Sequence, residues 1–122
     1  MNTLKRVYLI AALLLTFCSC GDTTNNKLII GKWNATEWLV NGVASETNAV
    51  GTSFTFYDKG DYTFTHTSHV EKGTYKVENE MLFTTPDNQE EMMVKIEKLT
   101  KDSLVFGMHR GGQEEVLTLI RK

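Results

Sequence analysis

Short runs of alternating apolar and polar residues, punctuated by Gly, Asn and Asp, fill the chain from residue 28 onward. Phe54 and Phe56 alternate with Ser53 and Thr55, and Tyr62, Phe64 and His66 alternate with Thr63 and Thr65. The same rhythm runs through Tyr75 and Val77, Val94 and Ile96, and Leu104, Phe106 and Met108. A period of two gathers one set of side chains on one face of a strand, and no helical periodicity competes with it. The pattern predicts eight strands, over 29–40, 52–57, 62–68, 73–78, 81–85, 91–99, 103–109 and 114–121. Asn41-Gly42, Asp58-Lys59-Gly60-Asp61, Pro86-Asp87-Asn88 and Gly111-Gly112 supply turn chemistry between them. Such short connections make an antiparallel meander, and a meander exposes two edges unless it closes. The expected fold is therefore all-β, an eight-stranded antiparallel up-and-down β-barrel with Thr63, Thr65, Thr67, Thr74 and Lys76 on its wet face. Eight strands leave an interior just wide enough for packed side chains or one small ligand.

The first strand breaks the simple rhythm. Trp33, Ala35 and Glu37 share one parity and Trp38 takes the other. A β-bulge between Glu37 and Trp38 would exchange the last two assignments. Trp38 inward is favoured, because a bare carboxylate is costly to bury.

Before residue 28 the pattern changes character. Lys5 and Arg6 precede an apolar run over 7–15, the layout of a secretory signal. That run is about half of the roughly 20 residues a membrane-spanning helix needs, so cleavage is expected rather than a permanent span. The segment Leu15-Thr16-Phe17-Cys18-Ser19-Cys20-Gly21 resembles a bacterial lipobox, with small Ser19 before the cysteine to be acylated. Cys20 is the expected lipidation site; Cys18 follows bulky Phe17, and a Cys18–Cys20 disulfide with one spacer residue would be strained. The expected organisation is a signal peptide over 1–19, a polar tether over 20–27 and a barrel over 28–122. With no polybasic patch, attachment would depend on more than one lipid chain. The expected location is a bacterial cell envelope, preferentially the outer membrane, facing the periplasm or the surface.

Composition narrows the functional classes. A length of 122 residues is that of one domain, which excludes separate cofactor and substrate lobes. Thirteen Lys and Arg against 15 Asp and Glu give a net charge of −2, no footprint for nucleic acid. No other cysteine follows Cys20, so no disulfide framework is expected in the barrel.

Gly31-Lys32-Trp33 at the start of the first strand, eight predicted strands, a terminal arginine and the lipobox together carry a family likeness. The chain resembles the short lipocalin-like domains of Gram-negative lipoproteins over roughly 28–122. The resemblance implies that Trp33 plugs one end of the barrel, with Gly31 beside it. It also implies that Arg121, rather than Lys122 or Arg110, covers the indole ring through a cation–π contact. Proteins of this shape bind small apolar molecules or other proteins, and a few are enzymes, so function carried over from fold is analogy.

The inward set Phe54, Phe56, Tyr62, Phe64, His66, Tyr75, Phe106 and Met108 is the expected ligand-contacting surface, with His66 as the polar anchor of an apolar pocket. His66 and His69, three apart, fall on opposite faces of an extended strand unless a turn begins at Ser68, and no metal site is expected. Glu90, Glu91, Glu114 and Glu115 are expected as surface charges, and Met92, Met93 and Met108 as core. With no nucleophile elbow and no phosphate-binding loop, neither enzyme activity nor a cofactor is expected. Two readings follow: a lipid-anchored carrier of a small hydrophobic molecule, or a tethered protein-interaction module or inhibitor with a filled barrel. The latter would use the loops at 41–51 and 86–90 on an envelope partner. Proton transfer by His66 and Tyr62 is the weakest of the ideas considered.

Overall fold

The computed structural model describes residues 27–45 and 49–122. The expected signal segment, Cys20 and the tether up to residue 26 lie outside the described residues. The strands are β1 (Gly31–Val40), β2 (Val43–Ala44), β3 (Thr52–Phe56), β4 (Asp61–His66), β5 (His69–Glu78), β6 (Met81–Pro86), β7 (Met92–Leu99), β8 (Ser103–Arg110) and β9 (Gln113–Arg121). Every pairing is antiparallel: β1 pairs with β2 and with β3, each strand from β3 onward pairs with the next, and β1 also pairs with β9, so β1 and β3 to β9 close an eight-stranded barrel. The start of β1 runs beside β3 (Gly31↔Phe56, Trp33↔Phe54), while most of its length runs beside β9 (Trp33↔Arg121 to Val40↔Glu115). β2 is a short addition to the end of β1, formed through Asn41-Gly42, whose φ angles of 51° and 81° suit a tight hairpin.

Two features of the strands differ from the alternation pattern. The turn between β4 and β5 is only Thr67-Ser68, so β5 starts at His69, four residues earlier than the sequence pattern suggests. No glycine marks this turn; Thr67 adopts φ 52° and its N–H donates to Gly51 O at 3.1 Å. His66 and His69 consequently face one another as cross-strand partners rather than lying on opposite faces. In β1 the register slips between Ala35 and Glu37, leaving Thr36 as the extra residue. That bulge reverses parity, so Trp33 and Trp38, five positions apart, are both buried while Glu37 is exposed.

The closed end is built around Trp33, which is fully buried. Its Nε1–H donates to Ile29 O at 2.8 Å, and the Arg121 guanidinium lies 4.2 Å from the ring centroid. Arg121 also donates to Ile30 O and Lys101 O, each at 2.7 Å, and to Leu28 O, tying the chain entering β1 and the β7–β8 turn to the end of β9. Gly31 has φ +131°, and a Cβ there would collide with Nη1 of Arg121. The glycine of Gly31-Lys32-Trp33 thus makes room for the cation that covers the tryptophan.

Candidate functional site

Aromatic side chains fill the closed half of the barrel. Phe56 stacks on Phe54 at 5.5 Å between centroids, meets Tyr75 edge-on at 4.9 Å and lies beside Tyr62 at 6.3 Å. The Tyr75 hydroxyl donates to Tyr57 O at 2.7 Å, fixing the ring against the β3–β4 turn. Burial, then Asp61 and Asp58, raise the Tyr75 pKa above its ordinary value.

Above this floor the interior is open. A cavity of about 360 Å³ lies between Phe54, Phe64, Leu82, Val94, Phe106, Met108 and Leu117. Tyr62, Glu71 and Thr84 also line it, with Trp38, Met92, Met93, His109 and Arg110. The last four residues, Met92, Met93, His109 and Arg110, belong to strand ends at the same pole as the Thr67-Ser68 and Gly111-Gly112 turns, which is the mouth.

Of the residues expected to contact a ligand, Phe54, Tyr62, Phe64, Phe106 and Met108 line the cavity. Phe56 and Tyr75 lie in the floor beneath it. His66 lies to one side: its Nδ1 is 2.7 Å from Thr52 Oγ1, and its ring meets Trp38 edge-on at 5.8 Å. Tyr62 and His66 therefore have different partners. Although His66 and His69 are opposed, no group of three or more His, Cys, Asp or Glu suited to a metal occurs among the described residues.

Several charged and sulfur-bearing side chains depart from their expected places. Glu115 is buried, not a surface charge, because it shares the inward parity of Leu117 and Leu119. It accepts from Trp38 Nε1 at 2.9 Å and from Arg110 Nε and Nη2 at 2.8 and 3.3 Å. Arg110 chiefly, with help from Trp38, holds the Glu115 carboxyl below its ordinary pKa against the opposing effect of burial. Met92 and Met93 are exposed at the rim instead of joining the core, because β7 only begins there.

Glu71 is the lining residue hidden by the sequence pattern. The Tyr62 hydroxyl donates to its Oε2 at 2.9 Å. Burial first, then Glu71, push the Tyr62 pKa well above the ordinary phenol value. The signal was parity: Glu71 stands two and four residues from Gly73 and Tyr75, but extending β5 backward required knowing that the turn is only two residues long.

The model of the lipocalin-like domain matches residues 29–106, well over half of the chain. The chain belongs to the lipocalin-like family. Its lipocalin-like barrel superposes on a crystal structure of a lipocalin-like protein from Bacteroides uniformis with a TM-score of 0.58 and 16% identity, covering 78% of this chain and 98% of that one. An uncharacterized protein from Bacteroides eggerthii gives a TM-score of 0.60 at 15% identity, covering 77% and 99%. These likenesses concern the fold. A search of curated proteins found no match.

Proposed function

We propose that this lipocalin-like barrel binds and carries one small, largely apolar molecule. The observation that supports the reading most is the open cavity of about 360 Å³ above a solid aromatic floor. Pockets for small molecules usually measure about 300–1,000 Å³ and combine apolar walls with a few polar groups. The volume lies at the lower end of that range, so the guest is small. Phe54, Phe64, Phe106 and Met108 supply apolar walls, and the Tyr62–Glu71 pair supplies polarity. The reading assigns no catalytic step and no cofactor.

The proposal includes acylation at Cys20, cleavage of residues 1–19 and tethering to a bacterial envelope membrane, the outer membrane by preference. Its support is the sequence pattern alone. Cys20→Ala is expected to abolish incorporation of labelled fatty acid; continued labelling would move the site to Cys18 or end the lipoprotein reading.

Native mass spectrometry of the protein purified gently from its own envelope tests the carrier role. A discrete added mass, released on denaturation, is the expected outcome. A bare protein mass favours the second reading, a tethered interaction module. The exposed apolar rim of Val43, Val50, Val70, Met92 and Met93 supports that alternative.

A further inference from the structure

The polar groups in the cavity have a direction. Tyr62 donates its only proton to Glu71 Oε2. The chain of donors ends at a carboxylate, which only accepts and offers about four lone-pair positions. Tyr62 fills one of them. Among the described residues no Lys or Arg forms an ion pair with Glu71; the pairs there are Lys76–Glu78, Lys95–Glu97 and Arg110–Glu115. Arg110, the one guanidinium on the lining, already binds Glu115 through two nitrogens. The cavity therefore presents an anionic acceptor whose charge is unmatched and a cation whose charge is already met.

Resting on the carrier reading, we infer that the guest is an apolar amine, its ammonium group seated on the Glu71 carboxylate and its hydrocarbon body between Phe54, Phe64, Phe106 and Met108. An ammonium donates three hydrogen bonds and supplies the missing charge. A fatty acid would bring a second carboxylate to the same wall, and like charges at short range in a partly dry cavity repel. A neutral alcohol would satisfy a lone pair of Glu71 but leave its charge unmatched.

Three probes of equal chain length separate these possibilities: decylamine, decanoate and decanol, titrated at neutral pH below their aggregation concentrations. Calorimetry reads the affinities directly, and Trp38, which lines the cavity, offers a fluorescence readout. Decylamine is expected to bind at least about tenfold more tightly than either of the others, the range of a charge-assisted contact. Glu71→Gln keeps an oxygen acceptor for Tyr62 and is expected to erase that preference while leaving decanol unchanged. Decanoate or decanol binding as tightly as decylamine to the unmodified protein would overturn the inference and leave the carrier reading standing. A preference for the amine that survives in Glu71→Gln would likewise overturn it. If none of the three binds, both the carrier reading and the inference resting on it fail.

Discussion

Trp33 and Glu115 show how single side chains set the character of the two ends of the barrel. Trp33 has no exposure, and its indole is held by Ile29 O below and the Arg121 guanidinium above. Truncation removes a large buried ring whose surroundings are locked by backbone hydrogen bonds and relax little. Trp33→Ala is expected to cost about 3 to 5 kcal/mol in denaturant unfolding, and a loss under about 1 kcal/mol would show that the ring is not the plug. Glu115 works near the mouth, where it joins Trp38 to Arg110. Its lowered pKa means that the carboxylate stabilises the fold above its ordinary value of 4.5, and that this contribution is lost as pH falls through that value and below it. Arg110 is largely exposed, so solvent screens the pair and its contribution is modest. Glu115→Gln is expected to be less stable by roughly 1 to 2 kcal/mol at pH 7 in urea titrations, with the gap narrowing as pH falls below 4.5. A gap independent of pH would mean that shape, not charge, is what Glu115 contributes.

At the scale of elements, β1 carries the largest structural burden, because it pairs with β3, β9 and β2. The extra residue Thr36 allows one strand to turn both tryptophans inward, with its Oγ1 donating to Thr118 O at 3.3 Å. Deleting Thr36 would make β1 a regular strand in which Trp33 and Trp38, then four positions apart, still share the inner face. The expected result is an unshifted tryptophan emission with a stability loss under about 2 kcal/mol, from the missing Thr36–Thr118 hydrogen bond and the altered local twist, measured by fluorescence-monitored unfolding. A red-shifted emission would mean that β1 changes register and a tryptophan leaves the interior. β5 teaches a different lesson about what alternation shows. Its inward parity continues back through Glu71, but the Thr67-Ser68 turn lacks glycine, asparagine or proline and gives no local sign of where the strand begins. Thr67 is held at positive φ by Gly51 O, from a segment 16 positions away, a contact that no local pattern displays.

For the molecule as a whole, the cavity exists because its two halves are packed differently. Large rings crowd the closed end, where Trp33 is fully buried and Phe56 meets Tyr75, whereas the mouth half is walled by Phe54, Phe64, Phe106 and Met108 without a central ring to fill it. Alternation alone made the all-β meander legible, because a buried face must repeat every second residue and short turns allow only neighbouring strands to pair. It also displayed the inward parity of Phe54, Tyr62, Phe64, Phe106 and Met108, all of which line the cavity. Parity reports which face a side chain takes but not its height along the barrel axis, so Phe56, Tyr75 and His66 look equivalent to them in sequence yet occupy the floor or the flank. Height is decided by register and stagger between strands. The register of β4 on β5 brings Glu71 to Tyr62, and closure between β1 and β9 brings Glu115, with its partner Arg110, to Trp38. The amino-acid sequence by itself determined the strands and their buried face, since those follow from local periodicity. Only the tertiary structure decided that the interior is open at one end and where its unmatched charge lies, since both depend on turn length, register and closure, which local periodicity does not report.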